Sequence, residues 1–128
     1  MRLFGQNKMK YFLDTYAIIE CIKDNPNFYK FQNEVVITSA LNISETHYYL
    51  IEYANEIEAD KFIQSLNISL IEPTKEIAIE ASKFRHTNKK LKMSYADCLG
   101  YVLARKKGLI FVTGDDAFKN FDNVEFLK

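Results

Sequence analysis

A chain of 128 residues and 15.0 kDa has the size of one globular domain with a single core. Hydrophobic residues make up 48%, with 10 Phe and 8 Tyr against 4 Gly and 2 Pro, which excludes a disordered or low-complexity protein. The 17 basic and 17 acidic residues cancel, which excludes an overall cationic field, so contact with a polyanion has to come from a local basic surface.

Met1 to Lys8 has little periodicity and is expected to be an extension or an upstream start that adds nothing to the fold, the domain itself running from residue 9 to 128. Lys10 to Leu13 is the first of five apolar runs that read as buried strands; a helix follows Asp14 and carries Cys21 on its apolar part. Val35 to Thr38 is the second strand. Asn42 to Ala54 then places Ile43, His47, Leu50, Ile51 and Ala54 on one stripe, and Ile57 to Leu66 does so with Ala59, Phe62, Ile63 and Leu66. Ile68 to Ile71 is the third strand, closed by Pro73. Thr74 to Asn88 and Ser94 to Lys107 are further helices, the latter stopped by Gly108, and Leu109 to Thr113 and Val124 to Leu127 are the last strands.

Apolar strands separated by helical crossovers predict a three-layer α/β/α fold around a mostly parallel sheet of about five strands. No run of about eighteen apolar residues exists to span a membrane, and the N-terminus lacks a signal-peptide pattern, so a cytoplasmic protein is expected. Cys21 and Cys98 lack zinc-site spacing and read as reduced core residues. The glycines form no phosphate-cradling loop.

Four acids stand where such a fold puts ligands. Asp14 ends the first strand and Asp115 follows the fourth, so both emerge at the carboxyl edge of a parallel sheet; Glu45 lies near the start of the helix after the second strand, and Asp97 in the first turn of the helix leading into the fourth. Each acid alone has a structural use. Asp14 can cap a helix, Asn42 with Glu45 and Ser94 with Asp97 have capping-box spacing, and Asp115 can serve a turn. Together they repel, and a fold gathers carboxylates where a cation compensates them. Hard oxygen donors suit Mg2+ or Mn2+, whose further ligands are phosphate oxygens, so a phosphodiester is the expected substrate.

Phe-Leu-Asp-Thr followed by Ala-Ile-Ile, Ser-Glu ahead of an apolar helix, Ala-Asp-Cys-Leu-Gly-Tyr-Val-Leu-Ala and Val-Thr-Gly-Asp-Asp-Ala-Phe occur in that order over nearly the whole chain from Met9. In these pieces the sequence resembles the PIN domains, and particularly the small VapC-type ribonuclease toxins. The resemblance implies metal-site roles for Asp14, Glu45, Asp97 and Asp115, with Thr15 and Thr113 in support. It also implies divalent-metal-dependent RNA cleavage, a homodimer, and inhibition by a cognate antitoxin. Asp116 is an alternative to Asp115, although strand phase favours Asp115.

Arg85, His86, Lys89, Lys90 and Lys92 precede the Asp97 helix and are candidates for RNA phosphate contact, the bland alternative being a solvated helix end. His47 reads as a core histidine on its helix's apolar stripe and His86 as exposed. Tyr48, Tyr49 and Tyr53 read as packing residues, with a dimer surface or base stacking as alternatives. Two other functions compete. A phospho-acceptor signalling domain would need an acidic pair after the first strand and an acceptor Asp after the third, where this chain has a lone Asp14 and Ile-Glu-Pro-Thr. A PIN-like domain that binds RNA or a partner without cutting is the other.

Overall fold

The structure, a computed structural model, describes residues 10–32 and 34–128. The expectation for residues 1–8 therefore lies outside the described residues. Strands β1 (Tyr11–Leu13), β2 (Val36–Thr38), β3 (Ile68–Leu70), β4 (Ile110–Thr113) and β5 (Val124–Phe126) form one sheet in the order β3-β2-β1-β4-β5. Every neighbouring pair is parallel, with Phe12 opposite Phe111 and Ile37. The five-stranded parallel sheet and three-layer architecture expected from the sequence are both present.

The connections are α1 (Thr15–Ile22), a 3-10 segment (Pro26–Phe31), α2 (Ala40–Tyr53), α3 (Glu56–Ser65), α4 (Lys75–Thr87) and α5 (Tyr95–Lys106). Alternate side chains of each central strand serve opposite faces. Phe12 and Phe111 point towards α4 and α5, meeting Ile77, Ala81, Cys98 and Tyr101, while Leu13 and Val112 point towards Ala17 and Ile18 of α1 and Phe28 and Phe31 of the 3-10 segment. Burial of each such side chain stabilises the fold by about 1.5–3 kcal/mol.

Two sequence expectations need correction. The five strands are not all buried: β3 lies at the edge of the sheet, leaving Leu70 52% exposed. His47 is not a core residue either, since its Nε2 lies 2.7 Å from the Asp60 carboxylate on α3 and its side chain is partly open to solvent.

Tyr101 is the centre of the larger core, with Phe84, Phe111, Phe118 and Phe121 within ring-contact range, and its hydroxyl hydrogen-bonds both the carbonyl and the carboxylate of Asp122 at 2.8 and 2.7 Å. Burial, reinforced by Asp122, pushes the phenol up to about 12. Tyr101→Phe keeps the ring and loses these bonds, so urea unfolding should show a loss of about 1 kcal/mol with an unchanged slope. Tyr101→Ala should cost about 3–5 kcal/mol. Equal stability of the Phe variant and the wild type would show that the hydroxyl contributes nothing.

The chain leaves β1 for β2 on one side, while β4, on the other side of β1, leads on to β5. Connections from adjacent strands thus diverge at the carboxyl ends of β1 and β4. Such a switch point opens the crevice in which parallel α/β folds bind ligands.

Candidate active site

Asp14 is the first residue beyond β1 and the N-cap of α1, its Oδ1 accepting the Ala17 N–H at 2.8 Å. It is 3% exposed. Burial is the main reason that its carboxyl is pushed up from 3.8 to about 7, and repulsion from Asp97 and Asp115 adds to it, against hydrogen bonds from Thr113 and the Ala17 N–H that favour the charge. Asp97 is also raised, by burial first and then by repulsion from Asp115 and Glu45, opposed by bonds within its helix cap. Its Oδ2 accepts the Ser94 N–H at 3.1 Å and its own N–H bonds the Ser94 hydroxyl at 3.0 Å, the capping box legible in the sequence.

Asp115 caps the 3-10 turn Asp116–Phe118 through the Ala117 N–H at 3.0 Å, and its backbone N–H donates to the Thr113 hydroxyl oxygen at 3.0 Å. Thr113 is fully buried, and its side chain acts on both acids, accepting the Asp115 N–H and favouring the charged form of Asp14. Glu45 accepts the Thr15 hydroxyl at 2.6 Å. Asp97 and Asp115 thus act on Asp14, and Asp115 and Glu45 on Asp97, while Asp14 and Asp97 stand at the N-termini of α1 and α5, whose dipoles temper their charge. Asp116 is set apart: it is exposed and pairs with the Lys128 ammonium at 3.2 Å.

Sequence reasoning missed part of this arrangement. The N-cap of α2 is Ser39 rather than Asn42, so the capping box expected between Asn42 and Glu45 does not form and Asn42 lies within the first turn. Asn42 is buried; its side-chain oxygen accepts the Ser39 hydroxyl at 2.7 Å, and its amide donates to the Thr15 hydroxyl oxygen at 3.1 Å. A relay Ser39–Asn42–Thr15–Glu45 thus fixes the Glu45 carboxylate. The available signal was Ser39 three residues ahead of Asn42, itself an N-cap spacing.

As they stand, no three His, Cys, Asp or Glu side chains among the described residues converge closely enough to hold one ion. Asp14, Asp97 and Asp115 each accept a backbone N–H on one carboxylate oxygen. The donor set nevertheless fits a divalent cation: it is made of hard oxygens, one carboxylate is buried, and among the described residues no Lys or Arg ion pair offsets any of the four.

Of the basic stretch, Arg85 donates its Nε–H to the Met93 carbonyl at 3.0 Å, Lys89 and Lys90 lie in a 3-10 turn, and Lys92 takes a left-handed conformation. Arg105 and Lys106, by contrast, pair with Asp122 and Glu80 at the other end of α5. His86 is exposed, as expected. Tyr48 and Tyr53 are exposed, and Tyr49 stacks on Tyr53 along the surface of α2, so these two tyrosines are not core packing. Cys98 is buried and Cys21 half-buried, both free thiols that burial pushes up to about 11.

Among solved structures, the fold is similar to that of VapC20 from Mycobacterium tuberculosis, described as a sarcin-ricin loop cleaving toxin. The TM-score is 0.70 at 18% identity, over 90% of this chain and 98% of that one. It is likewise similar to VapBC2 from Rickettsia felis, bound to a DNA fragment from their promoter, with a TM-score of 0.71 at 16% identity, over 93% of this chain and 98% of that one. At such identities the likeness is one of fold. No curated protein matches the sequence. A family model described as the PIN domain matches residues 11–124, which takes in β1 to the start of β5 and all four acids, and the chain belongs to the PIN domain family.

Proposed function

We propose that the protein is a divalent-metal-dependent endoribonuclease acting as the toxin of a type II toxin-antitoxin pair. The observation that carries the catalytic part is electrostatic: at the β1/β4 switch point Asp14 is buried and raised to about 7 with Asp97 and Asp115 acting on it, and Asp97 is raised with Asp115 and Glu45 acting on it. Membership of the PIN family supports it, as does a structural neighbour described as a sarcin-ricin loop cleaving toxin. The VapBC2 neighbour supports a cognate antitoxin as partner. A homodimer and a cytoplasmic setting belong to the same reading.

Asp14 and Asp97 would hold Mg2+ or Mn2+, with Glu45 and Asp115 completing the shell through water or serving a second ion. Such a cation supplies acidification of water and neutralisation of charge on the phosphate. The protein's own part is positional. Thr113 holds Asp14 and Asp115 in register, the Ser39–Asn42–Thr15 relay aims Glu45, and the α5 cap holds Asp97 at the crevice. No side-chain nucleophile is required.

Purified protein should cleave structured RNA with Mg2+ or Mn2+ and stop on chelation. Asp97→Asn should lower the rate by roughly 100-fold or more, the scale on which a single electrostatic partner of the transition state acts, with an unchanged circular dichroism spectrum. Cleavage that persists in chelator and in this variant would defeat the proposal. RNA binding without cleavage by the wild type would favour the PIN-like domain that binds and does not cut.

A further inference from the structure

Tyr95 opens α5, two residues before Asp97, and is 61% exposed. A ring this open contributes little to folding, and an aromatic residue is no better than average as a helix former. Its surroundings are nevertheless ordered. The Arg85 guanidinium carbon lies 4.1 Å from the ring centroid, and the Met93 carbonyl holds that guanidinium through its Nε–H. Arg85 therefore backs the ring as a fixed cation, and its terminal N–H groups remain to meet a phosphate.

We infer that the exposed Tyr95 ring, braced by Arg85, is the stacking platform for an unpaired nucleobase next to the phosphodiester held at the acidic crevice. The inference rests on the ribonuclease reading and deepens it by naming the form of RNA. Tyr95 and Asp97 share the first turn of α5, their Cα atoms about 5.4 Å apart, but side chains two residues apart leave a helix in different directions, so the stacked base belongs to a nucleotide flanking the one at the crevice. Lys89, Lys90 and Lys92 lie on the adjoining turn, and none of them has an ion-pair partner among the described residues. Cations beside an open ring are the usual composition of a single-strand site, in which the backbone follows the charge and the base takes the ring face. A base paired within a duplex has no free face to offer.

The chain has no tryptophan, so Tyr95→Trp makes a lone indole reporter at the platform. In an Asp14→Asn background that does not cut, a short fluorescein-labelled single-stranded oligoribonucleotide should quench the indole emission as it binds, and a duplex of the same sequence should not. In the same background, Tyr95→Ala should weaken binding by about 5- to 150-fold and Tyr95→Phe should restore it, since stacking needs the ring and not the hydroxyl. Binding of the oligonucleotide without quenching, or with the same affinity for Tyr95→Ala, overturns the platform and leaves the nuclease reading standing. No binding by either the Tyr95 or the Trp-substituted protein, together with no cleavage by the wild type, overturns both.

Discussion

Asp14→Asn is expected to abolish metal-stimulated RNA cleavage and, at neutral pH in chelator, to make the protein more stable than the wild type. The two effects have one source. Asp14 is almost wholly buried, and its carboxyl titrates near 7 against 3.8 in the open chain, so ionising it in the folded metal-free protein works against folding. A folded value raised above the unfolded one gives a stabilising contribution that is complete below about pH 3.8, declines as pH rises, and is gone above about pH 7. The span of about three pH units corresponds to roughly 4 kcal/mol at most. Asn carries no charge to desolvate and can still accept the Ala17 N–H, so it should not show this decline. Thermal or urea unfolding of both proteins in chelator between pH 4 and 8 measures the difference. Added Mg2+ or Mn2+ should then raise the melting temperature of the wild type at pH 8 and leave the variant unmoved. A variant less stable than the wild type at pH 8 in chelator, or equal slopes with pH, would show that the buried carboxylate is not the burden inferred here.

This opposition between folding and a buried acid explains why the acids could be singled out from sequence while their arrangement could not. Strand positions were legible because each apolar run is bounded by helix-capping or turn residues: Asp14, Ser39 and Gly114 fall directly after three of them. From the strands, the carboxyl edge followed, and with it the placement of Asp14 and Asp115. What periodicity cannot carry is partnership across long separations. Thr15 meets Asn42 and Glu45 only because β1 and β2 are neighbours, a relation 27 and 30 residues apart in the chain. His47 has the spacing of a core position, yet α3 folds back along α2 and presents Asp60 to it. The 3-10 segment escaped for a different reason, since Phe28 and Phe31 are two buried rings in six residues, too few for a period to emerge. The exposure of Leu70 depends on strand order, which no single strand encodes.

Gly114→Ala should damage fold and activity together, because this glycine separates the two residues that join β4 to the acidic crevice. Its need for glycine is one of space and not of backbone angle: a Cβ there would clash with the edge of the Tyr16 ring and lie 2.5 Å from the Leu127 carbonyl oxygen. Tyr16 has little freedom to withdraw, since its ring packs against Phe28 and belongs to the core on that face of the sheet. The Leu127 carbonyl is main chain, and its residue is fastened to β4 by the Leu127 N–H to Thr113 carbonyl bond at 3.0 Å. Relief therefore requires either that β5 peel away or that the Thr113–Asp115 turn move. Overpacking of this kind costs about 1–3 kcal/mol, visible as a lower melting temperature. The second route also breaks the Asp115 N–H to Thr113 hydroxyl bond and lets Asp115 drift from Asp14. Cleavage measured well below the melting temperature should thus fall further than the residual unfolded fraction explains. Tyr16→Ala in the same chain removes the clash with the ring but leaves that with the carbonyl, so it should recover part of the activity and not all. Wild-type melting and full cleavage by Gly114→Ala would mean that the turn tolerates displacement, and the link from Thr113 to the two acids would then have no bearing on the chemistry.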